Sequence, residues 1–319
     1  MLAAVYRTTG GPEVLSVQEV PTPEPGPGEV RVRLRVAGVN PTDWKMRTTA
    51  QPRDFQVPGQ DGAGEVDAVG EGVDPSRVGQ RVWVWFAAAR GRQWGSAAQW
   101  TVVPSRQAVR LPEGVSYDVG AGLGIPAMTA WHCLFADGPL QGRDVLVAGG
   151  AGAVGNAAVA LARRGGARVV ATTSTPDKAE LARAAGAHAT VDYRAHDAAE
   201  QVRAFAPDGV TRIVEVALGA NIGLDLAVLA PHGVVSTYAD DTLTTPTRPL
   251  MVANATLSFV LVYGLADIDL DAAVTGVSAA LAAGDLPALP VTRFALADVR
   301  AAHIAVEAAT PGKVLLDLP

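Results

Sequence analysis

From Val30 to Val36, apolar Val30, Val32, Leu34 and Val36 alternate with Arg31, Arg33 and Arg35. That is the period of two of a strand with one buried and one solvated face. Short apolar runs follow at 65–69, 81–86 and 99–103, and turn-forming stretches lie at 21–28, 70–72 and 91–95. The first third therefore predicts a small, mainly β domain. From about Ser116 the texture changes. An apolar helical segment runs to Phe135, and runs at 145–147, 168–171, 212–216 and 234–237 then alternate with helix-length stretches at 153–164, 176–185 and 220–229. Strands alternating with helices imply βαβ units around a parallel sheet buried on both faces. The tail predicts helices over 271–283 and 296–309 and a last strand over 313–318. No internal repeat or low-complexity linker interrupts this order.

A length of 319 residues fits two domains, and 49% hydrophobic residues suffice for a large core. The net charge of −6 argues against charge-driven nucleic-acid binding. A single cysteine, Cys133, excludes an intramolecular disulfide framework and every multi-cysteine zinc cluster, which is consistent with a cytoplasmic location. The N-terminal residues Met1 to Arg7 lack the basic-then-apolar order of a secretory signal. The most apolar stretch, 251–265, is broken by Asn254, Thr256 and Ser258, and is shorter than the roughly 20 apolar residues a membrane span needs. No membrane partner is expected. Of 26 basic residues only Lys45, Lys178 and Lys313 are lysines, so each stands out.

After the 145–148 run comes Gly149-Gly150-Ala151-Gly152-Ala153-Val154-Gly155, then a helical stretch. Gly150, Gly152 and Gly155 form G-x-G-x-x-G between strand and helix, the setting in which the motif binds a dinucleotide. The glycines allow a tight turn, close approach to a pyrophosphate and close helix packing, and the helix terminus offers unpaired N–H groups. The bland alternative is a purely structural glycine turn. An NAD-preferring site carries an acid at the end of the next strand; here that strand runs into Thr172-Thr173-Ser174-Thr175. Thr175 predicts an N-cap, Pro176 the first helical position, and Lys178 then opposes the helix dipole in the first turn. The 2′-phosphate of NADPH would resolve that conflict, whereas Asp177 would neutralise a merely solvated lysine. Tyr193 and Arg194 can close over the adenine ribose, or Tyr193 can be an ordinary surface residue.

No H-E-x-x-H, C-x-x-C, Asp-rich loop or G-x-S-x-G elbow is present. Five scattered histidines, with His132 and Cys133 adjacent on a helix and so pointing about 100° apart, predict no metal site.

The chain resembles, nearly end to end, the zinc-independent quinone oxidoreductase branch of the medium-chain dehydrogenase/reductase superfamily, which includes zeta-crystallin and the plant alkenal reductases. The resemblance is carried by Ala4-Val5 and Gly10-Gly11-Pro12-Glu13-Val14-Leu15, by Gly38-Val39-Asn40-Pro41-Thr42-Asp43-Trp44-Lys45, and by Pro58-Gly59-Gln60-Asp61-Gly62-Ala63-Gly64-Glu65-Val66. The glycine loop and the closing Gly312-Lys313-Val314 complete it. Where zinc-dependent relatives carry a metal-binding cysteine and Gly-His-Glu, this chain has Asn40 and Gly59-Gln60-Asp61.

The resemblance implies an α/β chain: a Rossmann doubly wound parallel sheet over 119–263, and a GroES-like, mainly β substrate domain from 1–118 and 264–319. It implies that Asn40 lies near the nicotinamide and substrate and that Thr129 meets the nicotinamide end. It also implies that Gly152, Ala153 and Val154 hold the pyrophosphate, and that Ser174, Lys178 and Tyr193 hold the 2′-phosphate. Quinone reductases of this type often carry tyrosine at the position of Lys45; lysine there is more similar to the enone reductases. The expected activity is NADPH-dependent hydride transfer to a quinone or a small α,β-unsaturated carbonyl. Lys45 is the candidate donor to the developing oxyanion or the proton relay, or else a surface or ribose-binding lysine. Tyr263 is a weaker catalytic candidate with a packing alternative. Asp43 and Asp61 read as structural acceptors, and Lys313 as the start of the last strand. The run 257–262 predicts an outer strand of the cofactor sheet, and its edge a homodimer. A competing expectation is an NADPH-binding, crystallin-like or regulatory protein with little turnover.

Overall fold

The alternating Val30–Val36 segment lies within the longest strand, Glu29–Val39, with its four aliphatic side chains buried. The structure, a computed structural model, describes residues 1–319. Its packing separates two units: Met1–Ile125 with Leu289–Pro319, and Pro126–Ala288.

In the first unit, Glu29–Val39 pairs antiparallel with Asp61–Val69, Trp100–Pro104 and Lys313–Asp317. Arg81–Val84 and Ala108–Arg110 extend the sheet on one side, and Val291–Ala295 on the other, where it runs parallel to Lys313–Asp317. The resulting seven-stranded, mostly antiparallel sheet buries Val30, Val32, Leu34, Val66, Val82 and Val84 together. A helix, Pro41–Thr49, follows strand Glu29–Val39. Asn40 precedes it, Pro41 opens it, and the Asp43 carboxylate accepts the Asn40 N–H at 2.7 Å. This is a local N-terminal signal.

The second unit holds six parallel strands in the spatial order Ala189–Asp192, Arg168–Thr173, Asp144–Val147, Val210–Glu215, Leu229–Thr237, Thr256–Phe259. Numbered along the chain within this unit, that is the order 3-2-1-4-5-6 of the doubly wound Rossmann sheet, whose direction reverses between Asp144–Val147 and Val210–Glu215. The central strands are apolar on both faces because helices cover both: Val145, Leu146, Val147, Val169, Val170, Ile213 and Val214 are all buried. Two departures from the sequence pattern are local. The 116–135 segment divides into Tyr117–Ala121 and Gly124–Phe135, interrupted at Gly122. The strand expected over 257–262 is Thr256–Phe259, followed by a short 3-10 turn, Val262–Gly264.

The two units divide at 125/126 and 288/289. The second junction lies beyond helix Asp267–Ala282 for a packing reason. Helix Asp267–Ala282 passes Gly276 under the Trp131 ring, where a Cβ would lie 2.1 Å from the indole. That contact ties the helix to the second unit.

Candidate cofactor and catalytic sites

In the second unit the glycine turn follows strand Asp144–Val147 and leads into helix Ala153–Arg164. The left-handed position of the turn is Gly149, at φ +67°, one residue before the motif's first glycine. Gly150 serves close packing instead, since a Cβ there would stand 2.7 Å from the Ala171 Cβ. Gly155 is stricter still: its Cβ would meet the Gly149 carbonyl oxygen at 2.2 Å. Thr172 of the next strand pins the turn, accepting from Gly150 N with its carbonyl (3.0 Å) and from Gly149 N with its hydroxyl (3.2 Å). Buried Asn156, not singled out in the sequence, donates to Leu181 O at 3.0 Å and fastens the helix to its neighbour.

The helix is preceded by Gly152, which has no side chain to cap it. Its first N–H groups, including those of Ala153 and Val154, thus have no side-chain acceptor at the cap, and around Gly152 a Cβ would meet only the Gly149 oxygen at 3.5 Å. Such a terminus accepts an anion. The site fits the pyrophosphate of a dinucleotide.

The residues expected at the 2′-phosphate converge. Lys178 donates from Nζ to Ser174 Oγ at 3.2 Å and has no ion pair with Asp177. Thr175 caps helix Pro176–Ala184, its hydroxyl accepting Lys178 N at 3.3 Å. Arg194 donates to the Ser174 carbonyl and to both Asp192 oxygens, and lies 5.9 Å from the exposed Tyr193 ring. Its guanidinium holds the Asp192 carboxyl below the usual carboxylate range. Lys178 and Arg194 therefore both donate to Ser174, Arg194 while paired with Asp192, and the strand ends in Thr172-Thr173-Ser174 where an NAD-type site carries Asp or Glu. Thr129 is buried on helix Gly124–Phe135, and Tyr263 is half-buried in the Val262–Gly264 turn.

In the first unit, Asn40, Asp61 and Lys313 form one buried cluster. Lys313, which the sequence presented only as a strand start, donates from Nζ to Asn40 Oδ1 at 2.6 Å and lies 3.8 Å from Asp61 Oδ2. Asn40 Nδ2 in turn donates to Asp61 Oδ2 at 2.7 Å, and Ile125 N to Asp61 Oδ1 at 2.9 Å. Burial pushes the Asp61 carboxyl up, opposed by Lys313; burial pushes the Lys313 ammonium down, opposed by Asp61 and Asp43. Asp43 is raised to about 7, by burial first and then by the neighbouring Asp61, against the N–H groups of Asn40 and Gly59. Asp43 and Asp61 act here as hydrogen-bond acceptors. Lys45, five residues beyond Asn40, is exposed, its ammonium 5.9 Å from the Trp44 ring. Both amide ends of Asn40 are thus engaged inside the protein, while Lys45 faces out.

The positions that carry metal ligands in zinc-dependent relatives hold Asn40 and buried Gln60, whose amide donates to Met46 Sδ at 3.4 Å. No group of three or more His, Cys, Asp or Glu is placed to hold a metal ion.

The chain is similar to known proteins over both units. Residues 26–113 match the alcohol dehydrogenase GroES-like domain, and residues 153–276 the family described as zinc-binding dehydrogenase. The quinone oxidoreductase of Mus musculus is 32% identical over 235 residues, 71% of this chain and 69% of that protein. The quinone oxidoreductase of Pseudomonas syringae pv. tomato superposes with a TM-score of 0.84 at 27% identity over 99% of both chains. A mycobacterial protein solved in complex with NADPH gives 0.85 at 28% identity over 99% of both chains. The chain belongs to the quinone oxidoreductase-like branch of the medium-chain dehydrogenase/reductase superfamily, and it lacks the superfamily's zinc ligands.

Proposed function

We propose that this chain is an NADPH-dependent reductase that acts on a quinone or a small α,β-unsaturated carbonyl without zinc. The observation that carries the reading is the pairing of an uncapped helix terminus after the Gly149–Gly155 turn with Lys178 and Arg194 gathered on Ser174. The first holds a pyrophosphate, and the second selects an additional phosphate over a ribose hydroxyl. Bound there, NADPH supplies the hydride.

The protein's own part is to bind, orient and stabilise charge. Ala153 and Val154 would offer backbone N–H groups to the pyrophosphate; Ser174, Lys178 and Tyr193 would border the 2′-phosphate; Thr129 would support the nicotinamide end. Two electrons arriving with the hydride leave negative charge on the substrate oxygen, and one proton completes the reduction. Lys45, exposed and with no carboxylate partner, is the group assigned to meet that oxygen or relay the proton. The Asn40–Asp61–Lys313 cluster holds the start of the helix that carries Lys45. Lysine at this position favours C=C reduction over quinone reduction.

A homodimer is part of the same proposal. Strand Thr256–Phe259 is one of the two edges of the parallel sheet, and Phe259, Leu261, Met251 and Val252 around it are 70%, 67%, 63% and 71% exposed. An apolar edge of this kind pairs readily with its own copy. A cytoplasmic setting fits the lone, buried thiol of Cys133. No helix is long and apolar enough to cross a membrane.

The test is oxidation of NADPH, followed by its absorbance, across a panel of quinones and enones. Loss of absorbance with at least one enone, and a saturated ketone as product, is the expected result. No loss with any acceptor would leave a binding protein rather than a reductase.

A further inference from the structure

Strand Val210–Glu215 ends at the point where the sheet reverses direction, the crevice in which open α/β sheets place their ligands. One lip of that crevice is the glycine turn. The other is Val216, whose Cγ1 stands 3.3 Å from where a Cβ on Gly149 would be. The conformation of this second lip is set by Glu215. Its Oε1 accepts the N–H of Val216 at 2.7 Å, that of Ala217 at 2.5 Å, and Asn221 Nδ2 at 2.9 Å. One buried oxygen therefore ties down the whole 215–217 turn and the start of helix Leu218–Val228.

The other side of Glu215 is unusual. Asp225, on the same helix, is also buried, and it faces Glu215. Glu215 Oε2 and both Asp225 oxygens find no N–H or O–H donor among the surrounding groups. No lysine, arginine or histidine pairs with either carboxyl. The other titratable groups nearby are Tyr238, just beyond the next strand, and Cys133 of helix Gly124–Phe135. Burial keeps both protonated, the tyrosine raised above its ordinary range and the thiol pushed up to about 12. Two ionised carboxylates in contact, buried and without a cation, are not a stable arrangement. One proton between them removes the repulsion and supplies the missing donor. The charge belongs on Glu215, which already receives three hydrogen bonds, and the proton on Asp225, which receives none. Burial, and then the neighbouring Glu215, hold the Asp225 carboxyl far above the carboxylate range.

We propose that Glu215 and Asp225 share one proton and, as a singly charged pair, position the Val216 turn against Gly149, so that Asp225 is a positioning residue for the dinucleotide. The role in binding rests on the reading that the dinucleotide crosses the glycine turn; the shared proton does not. Protonated Asp225 and the amide of asparagine are close in shape, and each can donate to Glu215 Oε2. Asp225→Asn therefore preserves the device and removes its dependence on pH, whereas Asp225→Ala removes the donor.

The experiment compares the whole chain with D225N and D225A. Infrared spectra at pH 7 are expected to show, beside any contribution from Asp43, a protonated-carboxyl band in the native protein that disappears from the difference spectrum with D225N. The NADPH dissociation constant is expected to stay within about twofold in D225N and to rise about tenfold in D225A, with kcat at saturating NADPH unchanged. Native thermal stability is expected to fall as pH rises from neutral to alkaline, and more steeply than that of D225N, because a carboxyl with a raised folded pKa loses its contribution in that direction. If D225A does not fold, the band and the D225N measurements decide. A missing band, or a D225N protein weakened by tenfold or more in NADPH affinity, would overturn the proposal. Absence of NADPH binding by the native chain would instead refute the dinucleotide reading, and the band would still test the proton.

Discussion

Lys313 has the least visible role of the three lysines. Its partners Asn40 and Asp61 lie more than 250 residues away in the chain, so the sequence offers only a lysine ahead of an apolar run. In the fold it is the one cation beside a completely buried Asp61. Removing one member of a buried pair leaves the other charge uncompensated. Lys313→Met is expected to lower the free energy of unfolding by about 3–5 kcal/mol, and adding Asp61→Asn to recover most of it, both read by urea denaturation. An additive double variant would mean that the two side chains do not depend on each other. Lys45 presents the opposite case, exposed and without an acidic partner. Lys45→Ala is expected to lower enone turnover at least tenfold, about 1.4 kcal/mol of barrier, while the NADPH dissociation constant stays within about twofold; an unchanged kcat would remove it from the chemistry. Lys45, Lys178 and Asn40 were readable as candidates because motif and helix position single them out. Glu215 and Asp225 were not, since an acid at a strand end and another on the next helix carry no local mark of burial.

At the scale of elements, helix Pro41–Thr49 is held by its ends and by one buried arginine. Arg47 donates to Gly10 O at 3.1 Å, to Glu307 Oε1 at 2.7 Å, and through NH1 to His303 Nδ1 at 3.1 Å, which joins this helix to helix Val299–Glu307. Burial, and then the Arg47 charge, lower the His303 pKa to about 3, so the ring is a neutral acceptor. A base with a depressed folded pKa contributes stability above its unfolded value, near 6.5, and loses it as pH falls toward the folded one. Stability should therefore decline from about pH 6.5 toward pH 3, with a slope of up to about 1.4 kcal/mol per pH unit from this proton, and His303→Gln should flatten the profile. The His303 resonance titrating near pH 6.5 would contradict the account. The long strands of both units were legible because their periodicity and turn residues are local, whereas short ones such as Leu2–Val5, Ala108–Arg110 and Val291–Ala295 were not singled out. The helix at 41–49 could have been read as well, from Asn40, Pro41 and Asp43 at capping positions; its short, polar sequence, with two consecutive threonines before Ala50, hid it among loops. The placement of helix Asp267–Ala282 depends on Trp131 meeting Gly276, a contact between distant segments that no pattern reveals.

For the whole molecule, two properties follow from the arrangement of the parallel sheet. Its outer edge exposes Phe259 and Leu261, so Phe259→Asp is expected to convert a dimer into a monomer in sedimentation measurements. An unchanged mass would locate any dimer elsewhere. Its reversal point places the glycine turn, the Val216 turn and the Ser174–Lys178–Arg194 group in one unit, and the central claim is that this unit selects the phosphorylated cofactor. Calorimetric titration tests that claim most directly. The native chain is expected to bind NADPH at least about tenfold more tightly than NADH, about 1.4 kcal/mol, and Lys178→Ala to abolish most of the difference by weakening NADPH alone. Equal affinities in the native protein, or a preference for NADH, would contradict it.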